Sequence, residues 1–181
     1  MQKYDPWVLR EEFANAIGDT HKQLLDVGTG RGYTAILFAK KGSDVTSIDI
    51  NPEKLENARK VAKEYGMADK IRFLKKDITK NSNFPFNSFD MTVMLNALHH
   101  IAENERSRSI KEIARITREV IHIGELNDAG VVYFDTLAHP GSKHRELMVE
   151  ETWITSQLEN YGKVDVLHLE HINIYSCKVQ E

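Results

Sequence analysis

A single cysteine, Cys177, in 181 residues takes intramolecular disulfides out of the account and leaves no thiolate cluster for zinc or iron–sulfur ligation. That fits a reducing compartment, and we expect a cytoplasmic protein. Proline and glycine are sparse, at 4 and 10, and no Ser/Gly-rich linker, repeat or low-complexity block breaks the chain. No run approaches the roughly 18 apolar residues of a membrane span. The charged start MQKYDPWVLREEF lacks the apolar centre of a signal peptide. Net charge is small too: −3 gives no basic footprint for nucleic acid or acidic lipid, and pairs such as Lys40-Lys41 and Lys75-Lys76 read as solvated loop charges. What is there, 181 residues with 41% hydrophobic content, is long enough for one buried core and too short for two. We therefore expect one domain over 1–181.

From residue 24 onward, short apolar runs alternate with helical patterns, the mark of β-α-β units around a parallel sheet. Leu24 to Val27 reads as the first strand, Thr34 to Lys41 as its crossover helix ended by Gly42, and DVTSID (44–49) as the second strand. Asn51 is a natural N-cap, Pro52 suits the first helical position, and Leu55, Ala58, Val61, Ala62 and Tyr65 share one face before Gly66 stops the helix. KIRFL (70–74) and DMTVMLN (90–96) follow as the third and fourth strands, joined by the turn-rich, exposed TKNSNFPFNS. Helical spacing at Ile110, Ile113, Ala114, Thr117, Val120 and Ile121 predicts one long helix from Glu103 to about Glu125, with EVIHI (119–123) as an alternative strand. GVVYFDT (130–136) then reads as the fifth strand, 151–162 as a helix, and KVDVLHL with INIYSCKV as a final hairpin.

The stretch LLDVGTGRGYTA (24–35) carries the functional signal. A glycine at a strand-to-helix turn accepts a positive φ and lets a ligand approach the main chain, while the next helix presents unpaired N–H groups. The spacing is G-x-G-x-G rather than the dinucleotide G-x-G-x-x-G. Asp26, two residues before the first glycine, would repel a pyrophosphate and suit a cationic group such as an amino-acid ammonium. Asp49 ends the second strand, where a carboxylate can take both ribose hydroxyls, and Asp77 follows the third, where it could meet the adenine amine with Ile78 beside the ring. Each acid taken singly is an ordinary loop or capping carboxylate. Three of them at successive strand ends lie on one sheet edge.

At this point the sequence resembles class I S-adenosylmethionine-dependent methyltransferases over about residues 22 to 136. LLDVGTGRGYTA is similar to their glycine motif, VTSIDIN to the ribose motif, FLKKDIT to the adenine motif, and FPFNSFDMTVMLNALHHI to the fourth-strand segment of the small-molecule, ubiquinone-biosynthesis-like branch. The resemblance implies a Rossmann-like, doubly wound, mostly parallel seven-stranded α/β sheet of order 3-2-1-4-5-7-6 with the last strand antiparallel. It implies S-adenosylmethionine as cofactor and S-adenosylhomocysteine as product. On the same basis Asp26 and the backbone of Gly28, Thr29, Gly30 and Gly32 would hold the methionine moiety, Asp49 and Ile50 the ribose side, Asp77 and Ile78 the adenine, and Asn96 would stand near the sulfonium. The chain departs from that pattern at ELNDAG, where an LKPGG-like turn is usual, and 137–151 is all that remains for a substrate lid. Residues 1–20, with Tyr4 or Trp7, are a second candidate cover for the cofactor. Ordinary aromatic packing is the other reading of that pair, and a homodimer that completes the pocket is a further expectation.

Methyl transfer from a sulfonium needs the acceptor in line and can proceed without a base; a hydroxyl or acidic carbon would use one, and histidine fits that task near neutrality. His99 and His100 after the fourth strand and His139 after the expected fifth are the candidates, with His99 as a backbone-bonded helix-start residue and His100 and Ile101 as core residues the plainer readings. His139, His144 and Asp135 could together hold a divalent metal, but the carboxylate set expected for one is incomplete, so we expect no metal. His122, His168 and His171 read as surface residues. NALHH stands where a nucleic-acid amine methyltransferase shows Asn/Asp-Pro-Pro-aromatic, which with the low charge favours a small-molecule acceptor over DNA or tRNA and leaves rRNA or protein acceptors as the alternative. Compact decarboxylating methyltransferases of the corrin pathway share the size, with no residue that singles them out. A non-catalytic cofactor-binding subunit and an NAD(P)-dependent oxidoreductase are rival classes. The second would show G-x-G-x-x-G and a Tyr-Lys or Cys/His set.

Overall fold

The computed structural model describes residues 4–18, 23–138, 140 and 143–180. Seven strands form one sheet: β1 (Gln23–Val27), β2 (Asp44–Asp49), β3 (Ile71–Lys75), β4 (Phe89–Leu95), β5 (Thr117–Leu126), β6 (Gly162–His168) and β7 (Ile172–Val179). Their order is β3-β2-β1-β4-β5-β7-β6. β1 to β5 run parallel, and β7 pairs antiparallel with both β5 and β6. Order and direction are those the family resemblance implies, and the expected α/β class holds.

Both faces of the sheet are covered, so its central strands are apolar on both sides. Helices α1 (Val8–Ile17), α2 (Tyr33–Lys40) and α3 (Pro52–Glu64) pack Leu9, Phe13, Phe38 and Leu55 against Leu24, Val45 and Val93. On the opposite face α4 (Glu103–Ile116) and α6 (Glu151–Leu158) pack Ile110, Ile113, Ile154 and Leu158 against Leu25, Met94 and Ile121. The capping expected for α3 is present: Asn51 Oδ1 accepts from Glu53 N at 2.8 Å, with Pro52 in the first turn.

Two sequence expectations are corrected. The long helix over 103–125 ends at Ile116, and 117–126 is strand β5, longer than the EVIHI alternative. Helical spacing persists by coincidence across the junction. Thr117 caps the change by donating its Oγ1 to Ile113 O at 2.7 Å and meeting Thr92 Oγ1 on β4 at 2.6 Å. The fifth strand is therefore not GVVYFDT. Those residues belong to α5 (Asp128–Tyr133) and a π-helical turn over Phe134–Ala138. Asn127 caps α5, its Oδ1 accepting from Gly130 N at 3.0 Å, and the helix rests on the β6–β7 turn so closely that a Cβ on Gly130 would sit 1.8 Å from His171 O. The segment between β5 and α6 is thus 127–150. The expected exposure of 79–88 also fails at Thr79 and Ser82, which are buried.

Candidate active site

The strand order reverses between β1 and β4, and α/β sheets open a crevice beyond the strand ends at such a point. There the chain forms a cavity of about 770 Å³, lined from beyond β1 by Gly28, Thr29 and Gly30, from the end of β2 and beyond by Asp49 and Ile50, from beyond β3 by Asp77 and Ile78, and from beyond β4 by Asn96 and His99. Its volume lies within the usual range for small-molecule sites.

The glycine turn is built from behind. Gly28 N and Thr29 N both donate to Ile48 O, at 2.9 and 3.0 Å. Gly28 has φ +90°, and a Cβ there would stand 2.6 Å from Ala97 Cβ. Gly32 serves packing rather than the cavity: its Cβ would meet Ala58 of α3 at 2.9 Å, and it is absent from the lining. Asp49 is held by backbone donors, accepting from Gly30 N at 3.2 Å and Asn51 N at 2.9 Å. Asp77 accepts from Thr79 N and Oγ1 and meets Lys80 Nζ at 3.0 Å; the Thr79 hydroxyl foremost, with Lys80, holds its carboxyl below the usual range. Ile78 is buried and Ile50 exposed.

Asp26 is not brought to the cavity. It is 1% exposed, accepts from Ser47 Oγ at 2.6 Å, and Ser47 Oγ in turn meets Thr29 Oγ1 at 2.7 Å. Burial pushes its carboxyl up to about 7, against the pull of Ser47 and Arg10. Asp26, expected to meet an ammonium, thus stands behind Thr29 and outside the cavity lining.

Asn96 follows β4 in a left-handed conformation (φ +51°), its N–H donating to Gly124 O at 2.8 Å. Its side-chain Oδ1 and Nδ2 are buried without a hydrogen-bond partner among the described residues, and so is His99 Nε2. His99 sits in a 3₁₀ turn over Leu98–His100. Its Nδ1 lies 2.5 Å from Glu125 Oε2, while Glu125 Oε1 accepts from Leu98 N at 2.8 Å. His100 lies at the cavity wall rather than in the core, its residue surface exposed but its ring partly desolvated, and that desolvation, then the neighbouring His99 and Lys54, lowers its pKa to about 4.

The helical spacing of its segment hides Glu125 in the sequence; the available signal is an acid near the end of a β-branched run, as at Asp49. Arg10 was missed as well. Its Nη1 donates to Tyr4 OH and Pro6 O, and both Arg10 and Tyr4 line the cavity. Trp7 does not, and packs edge-on against Tyr33 and Tyr65 instead.

On the far wall, Phe134, Ala138 and His144 come from the 127–150 segment. Asp135 takes hydrogen bonds from both the backbone N and the ring Nδ1 of His144. His139 lies outside the described residues. No three His, Cys, Asp or Glu side chains among the described residues are grouped to hold a metal ion. His168 is exposed, as expected, but His122 is buried against Ser176 and His171 is held by Glu12 of α1 at 3.1 Å. Among the described residues no helix is long and apolar enough to cross a membrane.

Residues 24–119 match the family described as the methyltransferase domain. The chain is 30% identical to norajmaline N-methyltransferase of Rauvolfia serpentina over 110 residues, 58% of this chain and 36% of that protein. It is 28% identical to the ubiquinone/menaquinone biosynthesis C-methyltransferase UbiE of Rickettsia felis over 117 residues, 60% of this chain and 45% of that one. It thus spans less than half the length of these two relatives. A SAM-dependent methyltransferase from Aquifex aeolicus superposes with a TM-score of 0.77 at 20% identity, covering 97% of this chain and 94% of that one. Over more than half its length, then, the chain belongs to the methyltransferase-domain family, and its fold is that of the class I S-adenosylmethionine-dependent methyltransferases.

Proposed function

We propose that this chain transfers the methyl group of S-adenosylmethionine to a small-molecule acceptor and releases S-adenosylhomocysteine. The observation that carries the reading is the convergence, on one cavity, of the glycine turn, the strand-end carboxylate Asp49 and the unpartnered buried atoms of Asn96 and His99. Buried polar groups normally find partners, so such atoms at a cavity wall await a ligand. In this reading Gly28, Thr29 and Gly30 receive the amino-acid end of the cofactor on bare backbone, and Arg10 faces its carboxylate. Asp49 takes the ribose hydroxyls beside Ile50, Asp77 and Ile78 flank the adenine, and Asn96 stands at the sulfonium. Asp26 and Gly32 act one layer back, through Thr29 and through the seat of α2 on α3.

The cofactor supplies a methyl group already activated on sulfur, so what the protein adds is alignment of the acceptor at about 3 to 3.5 Å. Phe134, Leu126 and Ala138 give the acceptor side an apolar wall. Residues 127–150 and the Tyr4–Arg10 stretch are the covers of one catalytic domain, and the reading needs no second copy to close the site. An acceptor that shares a cavity of this size with the cofactor is a small molecule rather than a nucleic acid, in keeping with the low net charge.

Asp49→Ala tests the ribose assignment. Among the described residues its carboxylate accepts from two backbone N–H groups, of Gly30 in the glycine turn and of Asn51, and the variant should keep its fold by circular dichroism and lose stabilisation by S-adenosylhomocysteine. Unchanged affinity would remove Asp49 from the site.

A further inference from the structure

We propose that the acceptor is a hydroxyl compound methylated on oxygen, with His99 taking the hydroxyl proton and Glu125 as the residue that positions His99. This rests on the methyl-transfer reading above and adds the acceptor atom to it.

The argument begins with the two oxygens of Glu125, at the end of β5. One is held by Leu98 N at 2.8 Å and the other meets His99 Nδ1 at 2.5 Å, with the two side chains 6% and 5% exposed. An ionised carboxylate only accepts, so Nδ1 carries the hydrogen and the Nε2 lone pair of the neutral ring is left for the cavity. Nε2 is buried with no hydrogen-bond partner among the described residues, in a side chain that lines the cavity. A carboxylate behind an imidazole fixes the tautomer and stabilises the imidazolium formed when the ring takes a proton.

Other groups face His99 from each neighbouring element. The His100 ring lies 4.1 Å away in the same turn with Lys54 beyond it, the His144 ring, held by Asp135, meets it edge-on at 5.9 Å, and Arg106 of α4 donates to the His99 carbonyl at 3.5 Å. His100 stays neutral in the working range, because burial foremost disfavours its charged form. It does not compete for the proton.

The acceptor atom follows from what such a base is for. A neutral amine attacks with its own lone pair and sheds a proton afterwards, whereas a hydroxyl is a poor nucleophile unless its proton leaves as the new bond forms. A buried carboxylate–imidazole pair is costly to desolvate. A hydroxyl or an acidic carbon makes use of it, and of the two a phenol-like hydroxyl is the more acidic and gives its proton to an imidazole more readily. The apolar neighbours Phe134, Leu126, Ile101 and Ala138 suit a phenol-like frame. The acceptor oxygen forms its bond to the methyl carbon as the carbon–sulfur bond breaks, with that electron pair staying on sulfur. The hydroxyl proton passes to His99 Nε2 and then to solvent.

The test uses the full chain and its His99→Gln and Glu125→Gln variants with S-adenosylmethionine and a panel of phenols of graded acidity, aliphatic alcohols and arylamines. Products are identified by mass and by the NMR signals that distinguish O-, N- and C-methyl groups, and stabilisation by S-adenosylhomocysteine is followed in each variant to confirm a folded cofactor site. The expected result is an ether product, with His99→Gln slowing weakly acidic phenols by about 10²–10⁴-fold and sparing a nitrophenol that is already ionised. Glu125→Gln should shift the acid limb of the kcat/KM profile to lower pH, which a merely structural role would not do. Below neutrality, a nitrophenol bound with S-adenosylhomocysteine should absorb as the phenolate in the parent protein and as the phenol in His99→Gln. N- or C-methylated products alone, no ether from any hydroxyl compound, or slowing that is uniform across phenol acidity would overturn the proposal. If neither S-adenosylmethionine nor S-adenosylhomocysteine stabilises the parent chain, the methyl-transfer reading itself has failed, and the proposal falls with it.

Discussion

Asp26 shows how a single side chain can serve a site it never touches. Its carboxyl is sealed under the glycine turn and linked through Ser47 to Thr29, so its charge state bears on stability. Burial raises its pKa from 3.8 to about 7. Below pH 3.8 the folded and unfolded chains both hold the proton and Asp26 contributes nothing to the pH dependence. Between 3.8 and about 7 the unfolded chain has released the proton that the folded chain keeps, so stability falls as pH rises, and the cost is complete above 7. We expect Asp26→Asn to lose this slope: urea unfolding across the window should show the parent protein weakening relative to the variant by a few kcal/mol, at about 1.4 kcal/mol per unit. Parallel pH profiles would contradict the assignment. Asp49 and Asp77 were legible as strand-end acids because position along the chain tells which residues share a sheet edge. Whether a carboxylate at that edge points into the crevice or under it depends on strand alternation. Asp26 and Val27 differ by one residue, and only Val27 lines the cavity.

At the scale of elements, the β-α-β alternation through β4 was readable from apolar runs and from caps such as Asn51-Pro52. The region 117–138 was not. There a 3.6-residue pattern runs on into a strand, and the β-branched Val131 and Val132 sit in a helix, so tertiary packing overrides local preference. The signal that outweighs propensity is the Asn127 cap, which also donates Nδ2 to Leu169 O at 2.9 Å and ties α5 to the β6–β7 turn. Asn127→Ala should therefore cost about 1–2 kcal/mol in guanidinium unfolding, as the loss of an N-cap does. A neutral substitution would mean that the segment is not held as a capped helix. The same shift of β5 brought Glu125 to the sheet edge and Phe134, Ala138 and His144 to the cavity wall, which is why the partner of His99 and the wall around it were not visible in the sequence while His99 was.

For the whole molecule, the fold determines where chemistry can occur but not which ligand occupies the crevice, since dinucleotide and S-adenosylmethionine proteins share sheets of this kind. The central claim is that the G-x-G-x-G turn and Asp49 hold S-adenosylmethionine. Its most direct test is thermal unfolding of the purified chain with S-adenosylmethionine, S-adenosylhomocysteine, NAD and NADP in turn. A ligand at about 100 times its dissociation constant adds roughly 2.7 kcal/mol, which raises Tm by several degrees in a domain of this size. We predict stabilisation by the two sulfur-containing ligands and none by the dinucleotides. A rise in Tm with NAD or NADP alone would contradict the account.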